Sequence, residues 1–164
     1  MPVHLIDVLA GWDKHNSLLV DTISPLSSEE LSWSAGEGLW PVRVLATHIV
    51  SARSWWFNAW MGEGDEEFKR LVTIDDDELE KPTRSAHEIC AALEKSWSDV
   101  RTCLQKWTEA DLDATFQRPT PNAAGERPHR DRRYIVWHVL EHDLHHGGEI
   151  SLTLGMHGRP GMDL

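Results

Sequence analysis

The sequence predicts an all-α protein, a four-helix bundle with long inter-helix connections. Apolar residues recur three and four positions apart through four long stretches, the period of helices that each bury one face. No stretch of useful length alternates apolar and polar residues as a strand does. Prolines, glycines and capping residues fall between the periodic stretches, where helices start and stop. A chain of 164 residues is expected to form one domain spanning 1–164, long enough to bury a core.

The first helix is expected over residues 4 to 23, with Leu5, Leu9, Trp12, Asn16, Leu19 and Ile23 on one stripe, and Ser24-Pro25 ends it. Ser28 begins a short helical turn near Leu31, and Gly36-Glu37-Gly38 breaks the chain again. The second helix opens with Pro41 in its first turn, where a missing N–H does no harm. It carries Leu45, His48, Ala52, Trp56, Ala59 and Trp60 inward and closes at Met61-Gly62. Residues 62 to 83 form an acidic connection containing Asp75-Asp76-Asp77-Glu78, read as a solvated loop with at most a helical turn and not as a cation site. Ser85 and Glu88 make a capping box for the third helix, whose inner face is Ile89, Leu93, Trp97, Val100, Leu104 and Trp107. Thr108 to Asp111 repeats the capping pattern over a short turn, and residues 117 to 133 are a loop holding Arg118, Arg127, Arg130, Arg132 and Arg133. The fourth helix is expected over about 134 to 154, stopping at Gly155.

Composition narrows the function classes. Lys and Arg number 16 against 27 Asp and Glu, a formal net charge of -11. That balance argues against nucleic-acid binding, because binding to a phosphate backbone rests on cations. No apolar run reaches the roughly 20 residues of a membrane span, and the first 30 residues lack a signal-peptide pattern; a cytoplasmic location is expected. Cys90 and Cys103 fall on one predicted helix, about 20 Å apart at 1.5 Å per residue, too far for a disulfide.

The stretch W-H-V-L-E-H-D-L-H-H-G-G-E-I, residues 137 to 150, holds His138, His142, His145 and His146. At about 100° per residue these four and Glu149 fall within an arc of roughly 100°. Trp137, Leu140 and Leu144 occupy a second arc, and both arcs are expected to be covered by neighbours. His48 stands at a core position of the second helix. One buried histidine is readily satisfied, but several on facing stripes must alternate as donor and acceptor. A divalent cation satisfies them together. His142 with His146 and His138 with His142 are equally good i,i+4 pairs for gripping one ion, and spacing does not choose between them.

A histidine in the second helix followed by a late H-x-x-x-H resembles the DinB/YfiT-like superfamily of metalloenzyme-type bundles. The likeness is strongest over Trp137 to Gly158 and weaker over L-W-P-V-R-V-L-A-T-H-I-V, residues 39 to 50. The resemblance implies that His48, His142 and His146 bind the metal, with His145 beside them and His138 in the pocket wall or behind the ligands. Where many relatives have H-R-G-Q-I this chain has His146-Gly147-Gly148-Glu149-Ile150, so roles attached to that arginine and glutamine do not transfer.

Three protein ligands leave a coordination position open, as catalytic zinc sites do. Zinc is the expected ion, with nickel or iron as alternatives, since imidazole suits all of them. The resemblance implies a low-molecular-weight thiol as co-substrate and a thiol S-transferase or related hydrolase acting on a small molecule. Glu149 is the candidate catalytic carboxylate or a fourth ligand, the alternatives being that it orients a ligand imidazole or pairs with an arginine. Arg130 and Arg133 are the candidate cofactor-binding residues for an anionic thiol. Trp40, Trp55 and Trp60 are candidate pocket residues. The resemblance also implies a homodimer. The competing expectation is a non-catalytic, metal-binding stress or interaction protein.

Overall fold

The computed structural model describes residues 3–163. Among the described residues seven α-helices run in the order α1 (Leu5–Val8), α2 (Ala10–Ile23), α3 (Val42–Ser54), α4 (Glu66–Arg70), α5 (Ile74–Glu80), α6 (Ala86–Lys106) and α7 (Arg132–Met156). The long ones, α2, α3, α6 and α7, are the four of the bundle. The expected first helix is interrupted at Leu9, whose backbone leaves the helical region (φ -107°, ψ 27°). The expected capping box closes on α6: Ser85 Oγ accepts from the Glu88 N–H, and Glu88 Oε2 accepts from the Ser85 N–H at 2.8 Å.

Helix α3 is the central element. Every residue from Val42 to Ser54 except His48 is buried, because α5, α6 and α7 all pack against it. It continues into a π-helical turn over Trp55–Trp60. Such wider turns favour functional regions, and this one sets Trp55 and Trp56 beside His138 and His142. Around α3 the apolar core falls into two clusters. One gathers Leu19, Ile49, Ile89, Leu93 and Ile150; the other gathers Trp12, Phe57, Trp97, Trp107 and Val139.

The acidic connection departs from the expected solvated loop. It folds into α4, a 3-10 turn (Leu71–Thr73) and α5, and it buries Phe68, Ile74 and Glu78. Asp65 caps α4 by accepting from the Phe68 N–H at 2.8 Å. Glu78 is fully buried yet satisfied: Arg43 Nη1 reaches one of its oxygens at 2.9 Å, and Arg84 Nη1 the other at 3.0 Å. Asp76 and Asp77 do face solvent, whereas Glu78 is drawn inward by Arg43 and Arg84 and Asp75 is held by His48, partners distant in sequence.

The loop before α7 also carries structure that the periodicity did not show. Two three-residue strands, β1 (Thr115–Gln117) and β2 (His129–Asp131), pair antiparallel with Phe116 opposite Arg130. Asp131 ends β2 and caps α7, accepting from the Tyr134 N–H at 2.7 Å, so the hairpin feeds straight into the last helix.

The face that α7 buries is not the one expected. Trp137 is 62% exposed and Leu144 44%. The covered stripe is Ile135, Val136, Val139, Asp143, Gly147, Ile150 and Leu154. Asp143 and Gly147 interrupt its apolar character, which hid it from a hydrophobicity reading. Gly147 is required there: a Cβ would lie 2.7 Å from the buried His15 ring.

A polar network occupies the middle of the bundle. Arg53 and Asp143 are both fully buried and pair, with Nε to Oδ2 at 2.9 Å. Trp12 Nε1 donates to the same Oδ2 at 2.7 Å. Arg53 Nη1 donates to Asn16 Oδ1, Ser96 Oγ and the Leu93 carbonyl. One guanidinium thereby ties α2, α3, α6 and α7 together. Cys90 and Cys103 are buried free thiols.

Candidate metal centre

The buried stripe of α7 fixes its rotation, and the histidine stripe then faces the one exposed gap in α3. There His48, His142 and His146 meet. One nitrogen from each ring lies within 4.8 Å of the other two. Ring centroids are 4.3 Å apart for His142 and His146, 4.8 Å for His48 and His142, and 5.0 Å for His48 and His146.

Two of the rings are oriented by carboxylates. His48 Nδ1 lies 2.6 Å from Asp75 Oδ2, and His146 Nδ1 lies 2.6 Å from Glu149 Oε2. An ionised carboxylate can only accept, so each Nδ1 carries a proton and Nε2 is the nitrogen left to face an ion. This carboxylate–histidine arrangement is the one that supports metal-bound imidazoles. Burial works against the charge on Asp75, but hydrogen bonds from His48 and Ser51 outweigh it and hold the carboxyl below its usual range.

His142 has no such carboxylate. Its Nδ1 is buried without a hydrogen-bond partner among the described residues. Burial first, then the adjacent imidazoles of His146 and His48, lower its pKa to about 3. His146 is also lowered, by burial above all, against the opposing hydrogen bond to Glu149. Rings held neutral retain the lone pairs that a metal requires. The donor set therefore fits a divalent ion: three imidazoles, two held at Nδ1 by carboxylates, and one buried nitrogen still short of a partner.

The remaining sequence candidates take definite places. His145 stands on the solvent side, 3.7 Å from Glu149, and with His146 and Glu149 forms a second, more exposed grouping. His138 lies between Tyr134 and Trp56, with its ring centroid 6.3 Å from that of His142. Trp40 packs edge-on against His48 at 4.8 Å. Trp55 lines a cavity with His48 and His142, whereas Trp60 is buried in the core. Arg130 lies over the Tyr134 ring at 4.9 Å and Arg133 pairs with Asp113 at 2.8 Å. Neither lines the cavities that open on the histidines. The residue that the sequence reading missed is Asp75. Its position in an acidic run gave no hint, since its partner His48 lies 27 residues away.

An all-α bundle with three convergent histidines defines the class. The chain belongs to the DinB family, whose model matches residues 1–163. Among solved structures it is similar to a DinB-like protein from Bacillus cereus, at 20% identity and a TM-score of 0.70, covering 100% of this chain and 99% of that one. It is also similar to the DinB-like protein YjoA from Bacillus subtilis, at 16% identity and a TM-score of 0.60, covering 98% and 93%. Those likenesses establish the fold. No curated protein matches the chain. No helix among the described residues is long and apolar enough to cross a membrane.

Proposed function

We propose that this chain is a divalent-metal-dependent enzyme, with zinc the first choice of ion, that joins a low-molecular-weight thiol to a small electrophile. The observation that carries the reading is the convergence of the His48, His142 and His146 rings, with carboxylates holding His48 and His146 by Nδ1. When bound, the ion supplies Lewis acidity that lets a coordinated thiol, or water in a related hydrolysis, lose its proton near neutral pH.

The protein residues do the rest. His48, His142 and His146 hold the ion, and Asp75 and Glu149 fix the direction of two of those rings. Glu149 is thus a positioning residue, because its Oε2 is engaged by His146. In the transfer the thiol sulfur forms a bond to the electrophilic carbon, the leaving group departs with its electron pair, and the thiol proton passes to solvent. The chain's own thiols do not compete: burial, then Glu94, pushes Cys90 up to about 11, and burial, then Glu63, pushes Cys103 up to about 12. We assign Arg130 and Arg133 no part in holding the thiol, since neither lines the cavities that open on the histidines.

Elemental analysis of tag-free protein, followed by trial thiol conjugations with the ion found, tests the reading. His48→Ala is expected to abolish turnover and metal retention while the helical circular dichroism remains. A metal-loaded protein inert across a broad panel of electrophiles, yet losing thermal stability on chelation, would instead support a non-catalytic ion. We further propose a cytoplasmic homodimer that takes no nucleic acid.

A further inference from the structure

A cavity of about 320 Å³ opens on the Trp40 side of the histidines. Its wall includes Leu39, Trp40, Leu45 and Leu152, with His146 and Glu149 beside them. Leu39, Trp40 and Leu152 are 59%, 40% and 60% exposed, although large apolar side chains are normally hidden. They come from the segment before α3 and from the far part of α7, so local sequence does not account for their convergence. Exposed apolar groups gathered on one concavity mark a ligand surface.

Two polar groups of this wall are already engaged. His146 Nδ1 is bonded to Glu149, and Thr153 Oγ1 donates to the Glu149 carbonyl at 2.8 Å. Among the described residues no lysine or arginine lines the cavity, and Glu149 is its one charged residue. A carboxylate or phosphate on the body of a ligand, away from the metal centre, would find no lysine or arginine there. The cavity on the other side of the cluster differs: Ser51, Asp75, Asp76 and His138 line it with His48 and His142. That lining also includes Trp55, Trp56 and Val72, so the Trp40 side is the more uniformly apolar approach to the centre.

We infer that the Trp40–Leu152 slot binds the hydrocarbon body of a small reactant that carries no charge on that body, with its reacting end at His146. This rests on the metal-centre reading and specifies which kind of substrate it takes: a short alkyl chain or single ring, because the volume is at the small end of the roughly 300–1,000 Å³ usual for such sites.

Cobalt-loaded protein titrated with ethanethiol through hexanethiol tests both ideas separately. The thiolate-to-cobalt absorption reports the head group, and the dependence of Kd on chain length reports the slot. Affinity is expected to rise about fourfold per methylene over the first few methylenes, with 2-mercaptoethanesulfonate binding no more tightly than ethanethiol. Leu152→Asp, at an exposed position, should keep the absorption band and lose the chain-length gradient. A band with no gradient in the parent protein overturns the slot and spares the metal centre. Failure to load cobalt counts against the centre; the slot is then read in metal-free protein by calorimetry with 1-hexanol. Saturable binding that Leu152→Asp removes supports it, and absence of binding overturns it.

Discussion

His48 and His146 use the same device, an imidazole Nδ1 held at 2.6 Å by a carboxylate, but they obtain it differently. His146 takes Glu149 from its own helix, three residues on, a spacing visible in the sequence. His48 takes Asp75 from α5, which no spacing rule foretells. The histidines were legible because imidazoles concentrated on one helical arc need a common reason; their orienting partners were legible only where they were local. Asp75→Asn is expected to weaken zinc binding about 10- to 100-fold with little loss of stability, measured by competition with a chromophoric chelator. Unchanged affinity would show that the Asp75 contact does not orient a ligand.

At the scale of elements, helices with strong caps and an unbroken period were read close to their true ends, as α6 shows between Ser85 and Trp107. The acidic connection and the buried face of α7 were not, because their polar residues are satisfied from a distance. Two adjacent glycines on α7 make this measurable. A Cβ on Gly147 would press on His15, whereas a Cβ on Gly148 meets nothing within 4 Å. Gly148→Ala is therefore expected to raise stability by about 0.5–1 kcal/mol. Gly147→Ala is expected to lower it, since overpacking costs about 1–3 kcal/mol and outweighs the same gain. Urea melts of the two variants check the opposite signs.

Helix α5 gives a pH test. Burial alone would raise the Glu78 pKa, but Arg43, the Arg84 and Thr83 backbone N–H groups and the Arg84 side chain together hold it below its ordinary value of 4.5. A carboxyl depressed in the folded state stabilises fully above the unfolded pKa, and that contribution disappears as pH falls through the folded one. The stability gap between the parent protein and Glu78→Gln should accordingly narrow as pH is lowered from about 5 to 3. A gap independent of pH would contradict the ion-pair assignment.

For the whole molecule, the four-helix architecture followed from period and punctuation, while the centre of the bundle did not. Arg53 recurs four residues after Ile49 and four before Phe57, a core position that its charge disguises, and Asp143 is disguised in the same way. Their pair holds α7 against α3 with Asp143 turned inward, and this leaves His142 and His146 facing His48. Arg53→Met is expected to cost about 3–5 kcal/mol by stranding the buried Asp143 carboxylate. Adding Asp143→Leu should restore part of that loss, the remainder reflecting the unpartnered Trp12 and Asn16 side chains. A double variant no more stable than Arg53→Met would contradict this.

X-ray absorption on zinc-loaded protein tests the three-histidine centre most directly. The geometry predicts three imidazole nitrogens around each ion and at least one exchangeable light-atom ligand, whose replacement by sulfur follows addition of a thiol. A shell closed by protein ligands alone, or one with fewer than three imidazoles, would contradict it.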